Sequence, residues 1–282
     1  VNAIDTNNRE SEVERAQPTE SVRILRVDKA AGRWTDDIVV REAPLTLYVN
    51  DSELVTLLCT PVEVADLAVG FLFSEGIVSS VADIARVSHS DSKGIVWVTL
   101  GDDVPFSKES FQSGRAVTSG CARGQTFAHI TDKLDLPSLD TDTRFPAERI
   151  YKSLKNLSHL STVFEQTGGV HVAALFDGET MVVFREDIGR HNAVDKVIGH
   201  CVTGGIDCSD KAMVVSGRLS SEMVIKVARL GVPVLISRSA PTSSALRIAD
   251  ETGMTLIGFA RGQRMNVYSH PYRVVDNGSE AV

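Results

Sequence analysis

Met181-Val182-Val183-Phe184-Arg185-Glu186-Asp187-Ile188-Gly189-Arg190-His191-Asn192-Ala193-Val194-Asp195-Lys196 changes its hydrophobic period halfway along. Its first four residues are an apolar run of the kind that forms a buried strand. From His191 onward the apolar positions Val194, Val197, Ile198 and Cys201 fall at helical spacing, so one face of a helix meets a core. Between Arg185 and Lys196 seven titratable groups crowd the seam between strand and helix. Such crowding marks a candidate site. Solvated capping also accounts for some of it, since Asn192 with Asp195 three residues on has the spacing of a capping box. On this reading His191, Asn192, Asp195 and Lys196 lie beside the apolar stripe rather than in the core.

Upstream, Val170 to Phe176 and Thr180 to Phe184 flank Asp177-Gly178, a strong hairpin-turn signal. Downstream, strands at 212–215, 232–237 and 255–260 alternate with helices at 220–230 and 242–252, which Gly231 and Gly253 stop. Short apolar strands alternating with helices imply parallel βαβ units with right-handed crossovers. A mainly parallel sheet after residue 168 is therefore expected. The class is α/β in this part and α+β overall. Hairpin, helix, then βαβαβ is by analogy the element order of the three-layer cytidine deaminase-like fold. The zinc chemistry of deaminases does not follow, because position 173 is Ala rather than the Glu of an HxE motif and no PCxxC occurs.

The first half reads differently. Residues 1–20 are polar and aperiodic, as in a disordered tail. From Val22 the pattern is strand-like, and Val39 to Val49 with Leu54 to Cys59 form a hairpin around Asn50-Asp51. Pro61 opens a helix carrying Val64, Leu67, Ala68, Phe71 and Leu72, which ends at Gly76. A second hairpin turns at Lys93-Gly94. These pieces make a small α+β domain over 21–115. Residues 116–146 read as a mobile cysteine loop and linker, and Pro146 starts a helix pointing Ile150, Leu154, Leu157 and Leu160 at a core. The α/β domain then runs over 147–276, with a tail at 277–282.

A length of 282 residues suffices for a large core and two domains. With 43% hydrophobic and 23% charged residues, the composition is that of an ordinary soluble globular chain. A formal charge of −8 removes any overall electrostatic reason to bind nucleic acid or an anionic membrane, though not a local basic pocket. No apolar run reaches spanning length and no secretory leader is seen. The four cysteines, Cys59, Cys121, Cys201 and Cys208, contain no CxxC pair, which argues against structural zinc or a disulfide scaffold and for a reducing cytoplasm.

In an open parallel sheet ligands bind beyond the carboxyl ends of the strands. Three such ends are Ser216-Gly217-Arg218, Arg238-Ser239-Ala240-Pro241-Thr242-Ser243 and Arg261-Gly262-Gln263-Arg264. Small residues beside an arginine suit phosphate or diphosphate. A turn at Gly217 and caps at Ser220 and Thr242 explain each loop singly; convergence on one edge favours a ligand. The candidate pocket is Ser216, Gly217, Arg218, Ser239, Thr242, Ser243 and Arg261, with Asp187, Arg190, His191 and Asn192 as its wall. Arginines would grip phosphates, and Asp187 would accept from a base amine or cap a helix. Neither GxGxxG nor a P-loop is present. His171 is open between a core histidine and a site residue. Cys121 is the candidate nucleophile: Gly120 and Gly124 flank it and Arg123 favours its thiolate. A thiolate can accept sulfane sulfur and hold it as a persulfide. Cys59 and Cys201 read as packing, whereas Cys208, in a polar stretch, stays open.

The opening stretch, Gly70-Phe71-Leu72-Phe73-Ser74-Glu75-Gly76, Gly168-Gly169-Val170-His171, Val215-Ser216-Gly217-Arg218, Ser239-Ala240-Pro241-Thr242-Ser243, Gly258-Phe259-Ala260-Arg261-Gly262 and Asn266-Val267-Tyr268-Ser269 follow one another in order. In that order they closely resemble the formate dehydrogenase accessory sulfurtransferases, the FdhD/NarQ family, from about residue 22 to 276. The resemblance implies a sulfur carrier that takes sulfur from a cysteine desulfurase. It would pass that sulfur to the molybdenum or tungsten bis-pterin guanine dinucleotide cofactor of formate dehydrogenase, with GDP as a mimic of the cargo and no protein-ligated metal. It also implies a homodimer. One departure stands out. Family members carry a CxxC whose first cysteine matches Cys121, but its second position is Gly124 here. A pair can release sulfur by closing a disulfide, whereas one cysteine relies on direct attack by an acceptor on its persulfide. The alternative is a cofactor-binding chaperone for formate dehydrogenase maturation that carries no sulfur.

Overall fold

The computed structural model describes residues 17–29, 31–108, 111, 136–178 and 180–275. It opens on a hairpin, β1 (Thr19–Val27) and β2 (Gly32–Val40), whose strands pair only with each other. Thr19 and Glu20, read above as tail, thus open a strand. The strand expected from Val39 to Val49 is broken at Arg41, whose N–H donates to the Pro18 carbonyl and closes the base of this hairpin. β3 (Ala43–Val49) and β4 (Ser52–Cys59) form the second hairpin. Asn50 and Asp51 take φ of 45° and 63°, the left-handed pair that a tight two-residue turn needs. After α1 (Val64–Ser74) come β5 (Ile84–Ser90) and β6 (Ile95–Leu100), completing a four-stranded sheet ordered β4-β3-β6-β5.

β7 (Phe145–Pro146), α2 (Ala147–Leu160) and α3 (Thr162–Thr167) lead to β8 (His171–Phe176), β9 (Met181–Asp187) and α4 (Arg190–Gly204). Then follow β10 (Ala212–Val215), α5 (Ser221–Arg229), β11 (Val234–Ser237), α6 (Ser243–Thr252), β12 (Thr255–Arg261), β13 (Arg264–Val267) and β14 (Val274–Val275). The six-stranded sheet is ordered β13-β12-β11-β10-β8-β9. β10, β11 and β12 are parallel, as the βαβαβ pattern requires. The sheet is nevertheless mixed, because β8 runs antiparallel to β9 and β10, and β13 runs antiparallel to β12. β13 is not among the strands expected from the sequence, in which Arg261-Gly262-Gln263-Arg264 is a candidate ligand loop. That loop is a hairpin turn, with Gly262 at φ 60°.

Alternation along the strands sorts the core into two faces. Val172, Ala174, Val214 and Ile236 meet Ile150, Leu154 and Leu157 of α2. Leu160, expected inward, is exposed at the end of that helix. Ala173, Leu175, Met213, Val215 and Leu235 meet α4, α5 and α6. These are the three expected layers. α1 then packs across the outer side of α4, and a single buried cluster continues from Leu45 to Leu256. The crossing is a backbone contact: a Cβ at Gly70 would fall on the Asp195 carbonyl, and one at Gly199 on the Asp66 carbonyl. α4 is therefore enclosed on both sides, which is why Asp195 and Lys196 are 2% and 0% exposed instead of lying beside the core. Among the described residues no helix is long and apolar enough to cross a membrane.

Candidate functional site

The charged seam divides into an inner and an outer half. Asp187, at the end of β9, is fully buried and its carboxylate is saturated. Oδ2 lies 2.8 Å from Lys196 Nζ and accepts from Thr60 N at 3.1 Å. Oδ1 accepts from Gly189 N at 2.8 Å and Asn192 Nδ2 at 2.9 Å. Lys196 Nζ also donates to the Thr60 and Glu186 carbonyls at 3.1 Å. Asn192 Nδ2 reaches the Leu58 carbonyl at 2.9 Å. Asp187 and Asn192 thus tie the start of α4 to the end of β4. Asp195 accepts from Ser74 Oγ at 2.7 Å and pairs with Lys226 Nζ at 2.6 Å. No capping box forms, for Gly189 is the N-cap residue and no side chain caps it.

Arg190 and His191 form the outer half. The Arg190 side chain lies against Gly217, where a Cβ would meet it at 3.0 Å, a tighter contact than Cβ atoms usually make. Its Nε is buried with no hydrogen-bond partner among the described residues, as is Ser220 Oγ, which does not cap α5. His191 Nε2 stands 3.1 Å from Glu222 Oε2, close but not in hydrogen-bond geometry. Ser216 Oγ accepts from Val172 N at 3.1 Å and lies 3.1 Å from His171 Nδ1. Burial, then the charges of Arg190 and His191, hold His171 below the ordinary histidine value. His171 is therefore a neutral ring at the sheet edge, in contact with a predicted site residue.

The three strand ends are joined. Ser237 Oγ donates to the Gly217 carbonyl at 2.6 Å and accepts from Ser239 N at 2.9 Å. Leu219 N donates to Ala240 O at 3.1 Å, and Thr242 N to Leu219 O at 3.0 Å. Phe259 N donates to Ser239 O at 3.0 Å, and Arg261 Nε to Arg238 O at 3.2 Å. The result is one hydrogen-bonded rim. From it Arg218, Thr242, Ser243 and Arg261 stand exposed, while Ser239 is half-buried. Thr242 Oγ1 also caps α6, accepting from Ala245 N at 3.3 Å. Arg238 and Arg264, in the same loops, are also exposed.

Beside the rim a cleft of about 510 Å³ opens between α2 and the ends of β11 and β12. Tyr151, Lys152, Arg238, Arg261 and Gln263 line it. The size suits a nucleotide-sized ligand, and the lining is cationic on a chain of net charge −8. Sequence reasoning missed the α2 contribution. The available signal was Lys152 and Lys155, three residues apart on the side of α2 away from Ile150, Leu154 and Leu157.

Cys121, with Arg123 and Gly124, lies outside the described residues. Burial, then the charge of Asp187, pushes the Cys59 thiol up to about 12, consistent with inert packing. Cys208 is buried despite its polar stretch, and its Sγ donates to the Ile206 carbonyl at 3.4 Å. Cys201 hydrogen-bonds with Cys208; that contact and burial push the Cys201 thiol up.

The model of the FdhD/NarQ family matches residues 40–275. The sulfur carrier protein FdhD of Halalkalibacterium halodurans is 40% identical over 242 residues, 85% of this chain and 89% of that one. The protein of the same name in Bacillus subtilis is 40% identical over 239 residues, 85% of this chain and 91% of that one. A crystal structure from Desulfotalea psychrophila, assigned as a formate dehydrogenase accessory protein, superposes with a TM-score of 0.74 at 26% identity. It covers 92% of this chain and is itself wholly covered. With the family model spanning most of its length, the chain belongs to the FdhD/NarQ family.

Proposed function

We propose that this protein is a sulfur carrier for the maturation of formate dehydrogenase. It loads sulfur on Cys121 and holds the guanine nucleotide end of a molybdenum or tungsten bis-pterin cofactor, its cargo, at the rim of the six-stranded sheet. The observation that carries the binding half is the joined rim, where three strand ends present Arg218, Arg238 and Arg261 to one edge. Guanidinium forks and exposed hydroxyls at Thr242 and Ser243 match the oxygens of a diphosphate. Arg190 Nε and Ser220 Oγ, which no described residue satisfies, add further polar groups. The names of the relatives support the sulfur half.

The Cys121 thiolate attacks the terminal sulfur of a cysteine desulfurase persulfide. The S–S bond breaks, the desulfurase thiolate leaves, and Cys121 keeps the sulfane sulfur as its own persulfide. Attack by a nucleophilic acceptor on that terminal sulfur returns the Cys121 thiolate with no net change of oxidation state. Release as sulfide would need two electrons, which the second thiol of a CxxC supplies by closing a disulfide. Gly124 cannot supply them, so delivery here is direct transfer. The protein acts as a homodimer, in the cytoplasm, where its thiol stays reduced.

Incubation with a cysteine desulfurase and cysteine, read by intact mass, is expected to show a single sulfur adduct. Cys121→Ser abolishes both the adduct and activation of formate dehydrogenase, and Cys208→Ser preserves both. A Cys121→Ser protein that still activates the dehydrogenase fully would overturn sulfur transfer and favour a cofactor-binding chaperone.

A further inference from the structure

The β1–β2 hairpin lies outside the chemistry described so far, and the family match begins only at residue 40. Its register sorts its side chains into two faces. Directly opposed pairs are Ser21 with Ile38, Arg23 with Asp36, Leu25 with Trp34 and Val27 with Gly32. Opposed residues share a face. This face is exposed throughout, with Leu25 at 49%, Val27 at 71%, Trp34 at 63% and Ile38 at 41%. The alternate residues Val22, Ile24, Thr35, Asp37 and Val39 are half-buried. The arm therefore presents its large apolar groups to solvent, the reverse of the usual arrangement. An isolated two-stranded hairpin is marginal in water, and a contiguous exposed apolar patch marks an interaction surface.

The occupant can be read from charge. Arg23 and Asp36 face each other in the middle of the apolar strip, yet they form no ion pair within 4.0 Å, and neither pairs with any other described residue. By contrast Arg26 of the other face does engage Asp37, at 3.5 Å. One unpaired cation and one unpaired anion, flanked on both sides by apolar groups, are self-complementary under a two-fold rotation. With the axis along the strands, the rotation sets Arg23 of each copy against Asp36 of the other, and Leu25 against Trp34. The rest of the chain, at net −8, favours no like-charged contact, so a locally neutral strip is where two copies can meet. The eighteen residues before the hairpin do not suit the face either, for their only large apolar side chains are Val1, Ile4 and Val13. We infer that the outer face of the β1–β2 arm is the surface through which two copies of this chain associate across a two-fold axis near Arg23 and Asp36. This surface rests on the homodimer reading.

Sedimentation velocity on the full chain over a concentration series tests it. The wild type is expected at twice the chain mass. Arg23→Asp and Asp36→Arg each set like charges together at both crossings and should weaken the dimer roughly tenfold or more. The double swap should restore it. Leu25→Ser, which leaves charge untouched, should also weaken it, and because these side chains lie outside the core every variant should melt like the wild type. A dimer unchanged in all three single variants overturns the surface while leaving the homodimer standing, and a double swap no tighter than its parents overturns the two-fold pairing. A wild type that stays monomeric overturns both, without touching sulfur loading on Cys121.

Discussion

The two halves of the Arg185–Lys196 seam lie within one strand-to-helix junction and meet opposite fates. On the inner half, Asp187, Asn192, Asp195 and Lys196 are packed between α4, α1 and the end of β4, and their polar atoms are paired within the protein. On the outer half, Arg190 lies against Gly217 with a buried nitrogen unpaired, and beyond it the strand-end arginines stand in solvent. A cluster of titratable groups is thus not one site. Enclosure by α1 turns half of it into structure, whereas Arg190 and His191 stay half-buried beside the exposed strand-end arginines.

That contrast breaks first at the helix crossing. Gly70→Ala or Gly199→Ala drives a Cβ into the facing backbone, which cannot yield as a flexible side chain would. Either should cost more than about 4 kcal/mol and prevent soluble folding, judged by circular dichroism. A Gly70→Ala protein melting within a few degrees of wild type would mean the helices do not touch there. Next, Lys196→Ala strands the Asp187 carboxylate in the core and should cost about 3–5 kcal/mol in urea unfolding. The Asp195–Lys226 pair sharpens the point, since replacing both by Leu and Met should cost less than removing Lys226 alone. Arg218→Ala on the rim should change stability by less than about 0.5 kcal/mol.

The smallest effect concerns pH. His171 is held below its unfolded value, so above that value neither state is protonated and the residue contributes nothing. As pH falls through about 6.5 the unfolded chain takes up the proton first, and stability drops until the folded value is reached. His171→Asn should flatten this part of the stability profile between pH 7 and 5. An identical slope in the variant would mean that His171 is not the group responsible.

The order of elements was legible because the hydrophobic period switches cleanly at Val183 to Val194 and at each later strand. The turn residues Asn50-Asp51 and Asp177-Gly178 marked two hairpins. β13 was not legible, since Arg261-Gly262-Gln263-Arg264 carries the same residue types whether it turns a hairpin or cradles an anion. The burial of Asp195 and Lys196 was hidden for another reason. A helical stripe shows which side faces the sheet, but not that a second helix covers the other side through Gly70 and Gly199. The rim was half visible: its loops could be found from strand ends, whereas Lys152 and Tyr151 enter from a helix distant in sequence. The Arg23–Asp36 opposition needed the register of β1 on β2, which composition does not contain.

In the proposed function the rim, not the buried seam, holds the nucleotide end of the cargo. Isothermal calorimetry with GDP decides it, using wild type, Arg218→Ala, Arg261→Ala and a Lys226→Met/Asp195→Leu protein. Loss of one charge-assisted contact to phosphate is worth about 1.5–3 kcal/mol, so the rim variants should bind roughly tenfold or more weakly while the core variant binds as wild type does. Equal affinity in wild type and both rim variants, or no GDP binding at all, would contradict the account.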